Sequence, residues 1–446
     1  MQNVDSLIFA DWIITVDNTN SVLTQHAIAV HDGRILDILP AKQARQNYQS
    51  ETVHELHGQA LIPGLINAHT HAAMTLFRGL ADDLHLMEWL QDHIWPAEGK
   101  WVSEEFVHDG TMHAVAEMIR SGTTCFNDMY FFPNITARVV DNVGMRATVG
   151  LILIDFPTVW ANDADEYISK GLEVHDHYRG NSRINTAFAP HAPYTVSDDP
   201  LARVETLAEE LDIPIHIHVH ETAFEVKQAV DQTGLRPLSR LNDKGIVSPR
   251  LMAVHMTQLT EDEIELMATS NANVVHCPES NLKLASGYCP TYILNQAGVN
   301  VALGTDGAAS NNDLDMIGEM RTAALMAKTV ANEASAIPAH TALRMATING
   351  AKALGLDDII GSLEIGKSAD IVAIDMVKLE TQPLYNVVSQ LVYSATRNQV
   401  SNVWVAGQQL LKDNVLMTID EKEVINKSRE WKEKIYQSDI QHQTEH

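Results

Sequence analysis

The chain has 446 residues, 45% of them apolar, and a formal net charge of −27 with histidines neutral. That length and composition suit a large globular domain with a smaller appendage, and so acidic a surface argues against a polyanionic partner, whether nucleic acid or an anionic membrane. Only three cysteines occur, Cys125, Cys277 and Cys289, with no paired spacing, which excludes a disulfide framework and a cysteine-built zinc site.

The opening segment, MQNVDSLIFADWIITVDN, lacks a basic stretch followed by a long apolar core. No run approaches the length of a membrane span, so a cytoplasmic protein is expected. SLIFADWIITVD, HAIAVHDGRILDILP and TVHELHGQALIP then read as strands, with Asp32-Gly33 as a hairpin turn. From about 365 to 415 the same texture returns in KSADIVAID and NVWVAGQQLL, with Gly407 at a turn. Between these β-rich ends, eight apolar runs alternate with amphipathic stretches. The runs are GLINAH (64–69), GTTCFND (122–128), RATVGLILI (146–154), INTAFAPH (184–191), PIHIHVH (214–220), LMAVH (251–255), NVVHC (273–277) and NVALGTD (300–306). Helical patterns such as SEEFVHDGTMHAVAEMIRSG, DPLARVETLAEELD and TEDEIELMATSN lie between them. Eight β-then-α units predict an α/β fold, a (β/α)8 TIM-type barrel, with a small β-sandwich domain built from both chain ends. The predicted boundaries are 1–61 and 361–420 for the two parts of the sandwich, 62–360 for the barrel, and 421–446 for a polar terminal helix and tail.

Six of the eight runs end at or just before a titratable group: His69/His71, His191, His218/His220, His255, His276 and Asp306, with Asp128 as a seventh candidate. Barrel active sites are built at the C-terminal ends of the strands. In IPGLINAHTHAAMTLFRG, residues i and i+2 of a strand face one side, so His69 and His71 converge on one point. In HIHVHE the histidines at 216, 218 and 220 alternate, and the pattern does not say which of them binds. Histidines joined by Asp306 of GTDG make a mixed nitrogen and oxygen site for a divalent ion, Zn2+ or Fe2+, with room for water. No strand end carries a lysine to bridge a second ion, so one metal is expected.

GLINAHTH, HVHET, HCPESNLKLASG and GTDGAASNNDLDM together resemble the amidohydrolase superfamily, and within it the 5-methylthioadenosine/S-adenosylhomocysteine deaminases. The likeness spans nearly the whole chain. It implies a metal set of His69, His71, His218 and Asp306, because the family's third ligand stands three residues before a catalytic glutamate, here Glu221. His216 then becomes a barrel-interior histidine, and the roles of His220 and His276 stay open. The implied chemistry is hydrolytic deamination of a purine nucleoside. The metal acidifies a water, Asp306 accepts its proton, Glu221 protonates the ring nitrogen, and His255 holds the oxygen at the attacked carbon. Glu98, in LMEWLQDHIWPAEGKW, matches a glutamate that bonds ribose hydroxyls. Trp89 of the same loop stacks on or covers the purine, and His191 contacts the nucleoside. One departure stands out. Relatives that handle S-adenosylhomocysteine resemble each other in an arginine following GMR, whereas here no arginine occurs after Arg146 until Arg179. A bidentate carboxylate clamp is hard to replace, so 5′-methylthioadenosine is the expected substrate, with adenosine and S-adenosylhomocysteine as alternatives.

A guanine deaminase or a triazine amino- or chlorohydrolase would share the barrel and the metal set. A metal-free, non-catalytic barrel scaffold would be expected to have lost ligands, and all are present here. The H-x-E with P-C-x-x-C pattern of cytidine deaminases is missing, and HETAF is not H-E-x-x-H. Related barrels often pair, so a homo-oligomer is open, and the ligand set accepts zinc or iron.

Overall fold

The computed structural model describes residues 1–444, with side chains described through Gln437. Eight parallel strands follow one another round a barrel in sequence order. They are Leu65–Thr70, Thr123–Asp128, Arg146–Leu153, Ile184–Pro190, Ile215–Val219, Leu251–His255, Asn273–His276 and Asn300–Leu303. Each falls inside its predicted run except the first, which extends one residue further, to Thr70. Parallel strands are covered on both faces, so they read as unbroken apolar stretches, and the second and third are buried at every position.

The eighth strand stops at Leu303, short of the predicted 306. The chain turns out of the sheet at Gly304–Asp306, where Asp306 takes a φ of 60°. Its N–H donates to the His69 carbonyl at 3.0 Å, which brings the last strand back beside the first. A Cβ on Gly304 would lie 2.8 Å from the His69 backbone nitrogen, so only glycine permits this approach.

The helices start where cap residues place them. Ser103 accepts from the Phe106 N–H ahead of Glu104–Arg120, and Thr260 with Glu263 forms a capping box on Glu261–Thr269. Between the first and second barrel strands a long excursion crosses the barrel mouth. It winds through Ala72–Phe77, Leu86–Glu88, a π-helical turn at Trp89–Ile94 and Trp95–Trp101. The predicted loop holding Trp89 and Glu98 is therefore helical, because Leu86, Leu90 and Ile94 recur at helical spacing and bury one face.

The chain ends combine in a second eight-stranded sheet. Ile371–Asp375 pairs antiparallel with Thr52–Pro63, with Ile371 opposite Pro63. The expected sandwich is one continuous sheet folded over a core of Ile8, Ile13, Ile28, Ile35, Leu61 and Trp404. The turns Asp32-Gly33 and Ala406-Gly407 both have positive φ at each residue, as two-residue hairpins require. They also meet across the fold. The Ala369 N–H donates to the Gly33 carbonyl at 2.9 Å, and the Gly407 N–H donates to the Ala369 carbonyl at 3.1 Å.

This sheet is tied to the barrel by a buried ion pair. Arg146, at the start of the third barrel strand, donates to both carboxylate oxygens of Asp370 at 2.9 and 3.2 Å. The terminal helix, Glu421–Thr444, is polar as expected but seats Trp431 and Ile435 in the core, with Trp431 edge-on to Phe106. The last two residues of the predicted tail lie outside the described residues. Among the described residues no helix is long and apolar enough to cross a membrane.

Candidate metal and catalytic site

His69 and His71 leave the end of the first barrel strand, His218 stands near the end of the fifth, and Asp306 follows the eighth. Closing the barrel brings these four together from positions up to 237 residues apart. His69 Nε2 lies 3.3 Å and His71 Nε2 3.2 Å from Asp306 Oδ1, and His218 Nε2 lies 3.2 Å from His69 Nε2. Ligands at tetrahedral corners around a zinc ion stand about 3.3 Å apart, given bonds of about 2.0–2.1 Å.

The tautomers agree with this spacing. His71 Nδ1–H donates to the Met129 carbonyl at 2.6 Å, and His218 Nδ1–H donates to the His191 carbonyl at 2.7 Å. Their Nε2 atoms therefore carry lone pairs. Lone pairs and a carboxylate oxygen packed this closely repel unless a cation lies among them, so the donor set fits a divalent metal.

Of the alternating histidines, His216 sits one layer deeper, with Nε2 2.8 Å from His69 Nδ1, and orients that ligand from behind. His220 follows the strand with a φ of 54° and turns outward. Its Nε2 accepts the Leu238 N–H at 3.2 Å. Two further strand-end groups do not join the site. Asp128 accepts from the Ala72 N–H at 2.8 Å and from the Thr136 hydroxyl at 3.1 Å, and so anchors the chain leaving His71. His276 lies buried against the Tyr288 ring, outside the cavity wall.

Above the four donors is a cavity lined by His191, Glu221, His255, Glu98 and Trp89, with an apolar wall from Ile152 through Val159. Burial, and after it the Asp306 charge, push the Glu221 carboxyl up to about 8. His255 Nε2 lies 3.6 Å from Glu221 Oε2, while His255 Nδ1 is held by the Asn281 side chain at 2.8 Å. Burial holds His191 down to about 3, and its Nδ1 meets the Thr195 hydroxyl at 3.0 Å. Burial also raises Glu98 to about 7, against the opposing influence of the Tyr130 hydroxyl and His71. The Trp89 indole N–H is buried without a partner.

Sequence reading missed the groups that hold these residues. Ser280 and Ser310 donate their hydroxyls to Asp306 Oδ2 at 2.6 and 2.8 Å. Ser280 lies in HCPESNLK and Ser310 in GTDGAASNN, so both were within quoted motifs, but isolated serines carry no periodic signal. Asn281, four residues beyond Cys277, was equally silent. His220, His255 and Asp306 all have positive φ (54°, 76° and 60°). Strained backbone of this kind concentrates where side chains must be aimed.

The family model for amidohydrolases matches residues 60–410. A 5-methylthioadenosine/S-adenosylhomocysteine deaminase of Saccharophagus degradans is 52% identical over 431 residues, covering 97% of each chain. The structure of an adenosine deaminase from Xanthomonas campestris with bound zinc aligns with a TM-score of 0.97 at 53% identity, covering 98% of this chain and 99% of that one. An atrazine chlorohydrolase of Arthrobacter aurescens complexed with zinc aligns at a TM-score of 0.90 with 21% identity, covering 96% of this chain and 99% of that one. At that identity the likeness shows the fold alone.

Proposed function

The chain belongs to the amidohydrolase family, and from that membership and the cavity we propose a metal-dependent hydrolytic deaminase of adenine nucleosides that prefers 5′-methylthioadenosine, giving 5′-methylthioinosine and ammonia. The observation that carries the preference is the cavity wall. Among the described residues neither lysine nor arginine lines it, and its outer part is apolar through Ile154, Phe156, Pro157 and Val159. Arg146, the one arginine near the family's clamp position, is spent on Asp370. A methylthio group fits such a wall, whereas the carboxylate of S-adenosylhomocysteine would lack a partner.

The donor set fits one divalent ion, zinc in this reading, which His69, His71, His218 and Asp306 would hold and which would supply Lewis-acid activation of water. The protein groups do the rest. Asp306 accepts the water's proton, with Oδ2 steadied by the two serine hydroxyls. Glu221, whose buried carboxyl favours the protonated form, donates to the purine ring nitrogen beside the attacked carbon and so draws electron density from it. His255 Nε2, left free because Asn281 occupies Nδ1, holds the attacking oxygen. The proton gained by Asp306 passes to the departing amine, which leaves as ammonia as the C–N bond breaks, and the proton remaining on the attacking oxygen returns to Glu221 as the carbonyl forms. Glu98 receives the ribose hydroxyls, His191 contacts the nucleoside, and Trp89 walls the purine while offering its unpaired N–H.

The test is ammonia release by zinc-loaded protein from 5′-methylthioadenosine, adenosine, S-adenosylhomocysteine and guanine. Leaving a carboxylate unpaired costs about 1–3 kcal/mol or more, so kcat/KM for 5′-methylthioadenosine should exceed that for S-adenosylhomocysteine by at least roughly tenfold. Equal or better use of S-adenosylhomocysteine would overturn the preference. Turnover of guanine alone would overturn the nucleoside reading.

A further inference from the structure

Glu221 belongs to neither a strand nor a helix. The fifth barrel strand ends at Val219 and the next helix spans Ala223–Thr233, with Thr222 as its N-cap. The Glu221 carboxyl is met by the Ser286 hydroxyl, whereas His255 Nε2, at 3.6 Å, is beyond hydrogen-bond reach. Its backbone is held as well, from two sides.

A glutamate at the third helical position, here Glu225, ordinarily reaches back to the N–H of the N-cap residue. Glu225 does something else. Its Oε2 accepts the Glu221 N–H at 2.7 Å and its Oε1 accepts the His220 N–H at 3.0 Å. Two consecutive N–H groups point the same way because His220 adopts a φ of 54°, the arrangement that makes an anion-binding nest. Meanwhile Thr222 accepts the Glu225 N–H at 3.1 Å, which fixes the start of the helix that carries the clamp. From the other side, the Thr257 hydroxyl donates to the Glu221 carbonyl at 2.7 Å. Both ends of the Glu221 residue are thus anchored by buried side chains.

We propose that Glu225, with Thr257, is a positioning residue that holds the left-handed turn from which Glu221 is presented to the purine. The inference rests on the reading of Glu221 as the proton donor. Glu225 does not line the cavity, and its carboxylate holds the His220 and Glu221 N–H groups, so its effect should reach catalysis through the turn that carries Glu221. Gln at 225 keeps the shape but sets an NH2 group against one of the two N–H donors, and the turn relaxes. Misplacing a reacting group by an ångström can lower a rate by about 100-fold.

The experiment compares Glu225→Gln, Thr257→Val and Glu221→Gln in the zinc-loaded full chain, measuring kcat, KM and bound metal. Glu221→Gln should lower kcat by roughly 100- to 10,000-fold. Glu225→Gln should lower kcat by roughly 10- to 100-fold with KM within about threefold and metal content unchanged. Thr257→Val should lower kcat by about tenfold, and the double variant by less than the product, because both side chains hold one residue. Thr257→Val carries the test if the Glu225 variant fails to fold. Retention of kcat within threefold in both positioning variants, while Glu221→Gln is inactive, would overturn the proposal. So would a kcat loss that merely tracks lost metal. Full activity in Glu221→Gln would instead overturn the underlying reading of that residue, and the inference with it.

Discussion

The Arg146–Asp370 pair joins the barrel to the folded sheet, and its removal should show how much of the molecule depends on that join. Both side chains are 2% exposed. Arg146 donates to Asp370 twice, to the Ser182 carbonyl at 2.7 Å and to the Ser368 hydroxyl at 3.0 Å. Asp370 also accepts the Ala406 N–H at 2.8 Å. Asp370→Leu strands a guanidinium in the interior, a loss of about 3–5 kcal/mol, and orphans the Ala406 N–H at about 1–3 kcal/mol more. The expected destabilisation is roughly 4–8 kcal/mol, a large part of the ~5–15 kcal/mol that ordinary domains possess. Arg146→Met alone should cost about 3–5 kcal/mol. The double variant, with no charge left to bury, should lie well above either single variant, with a coupling energy of at least about 2 kcal/mol. Urea unfolding followed by far-ultraviolet circular dichroism measures all four states. Additive losses, or an Asp370→Leu loss under about 1 kcal/mol, would refute the account of this pair as a buried bidentate tie.

Three further outcomes follow from the site. Burial raises the Glu98 carboxyl to about 7, and only its ionised form accepts two ribose hydroxyls. KM for the nucleoside should therefore rise as pH falls through 7, while kcat changes less, and Glu98→Gln should raise KM and flatten its pH dependence. Removing the metal with a chelator should abolish turnover and lower the melting temperature. Zinc should restore both, since a ligand at about 1,000 times its Kd adds about 4 kcal/mol to stability. Ser280→Ala removes a 2.6 Å hydroxyl donor from Asp306 Oδ2, and such charge-assisted bonds are worth about 1.5–3 kcal/mol. A fall in kcat of at least roughly tenfold with metal retained is expected, and an unchanged kcat would remove Ser280 from the proton-handling machinery.

Much of the scaffold was legible from the residues alone. Parallel strands covered on both sides must be continuously apolar, so the eight runs announced themselves, and Asp32-Gly33 marked its hairpin because positive φ restricts the residue choice. His69 and His71 were legible as a pair because strand periodicity alone puts them on one face. Other features depended on distance through space. The residue pattern could not choose among His216, His218 and His220, which share an alternation. Height along the barrel puts His218 level with His69, sets His216 beneath it, and the left-handed φ of His220 turns that residue away. His276 and Asp128 had the same strand-end signature as the residues that converge on the cavity, yet one faces Tyr288 and the other a backbone amide. Family resemblance named Glu221 but not Glu225, and Arg146 could not be seen as structural until Asp370, 224 residues later, lay beside it. A sequence pattern reports which way a backbone faces over a few residues. Only barrel closure and register decide which side chains from distant strands arrive at the same point, and that convergence is where the chemistry lies.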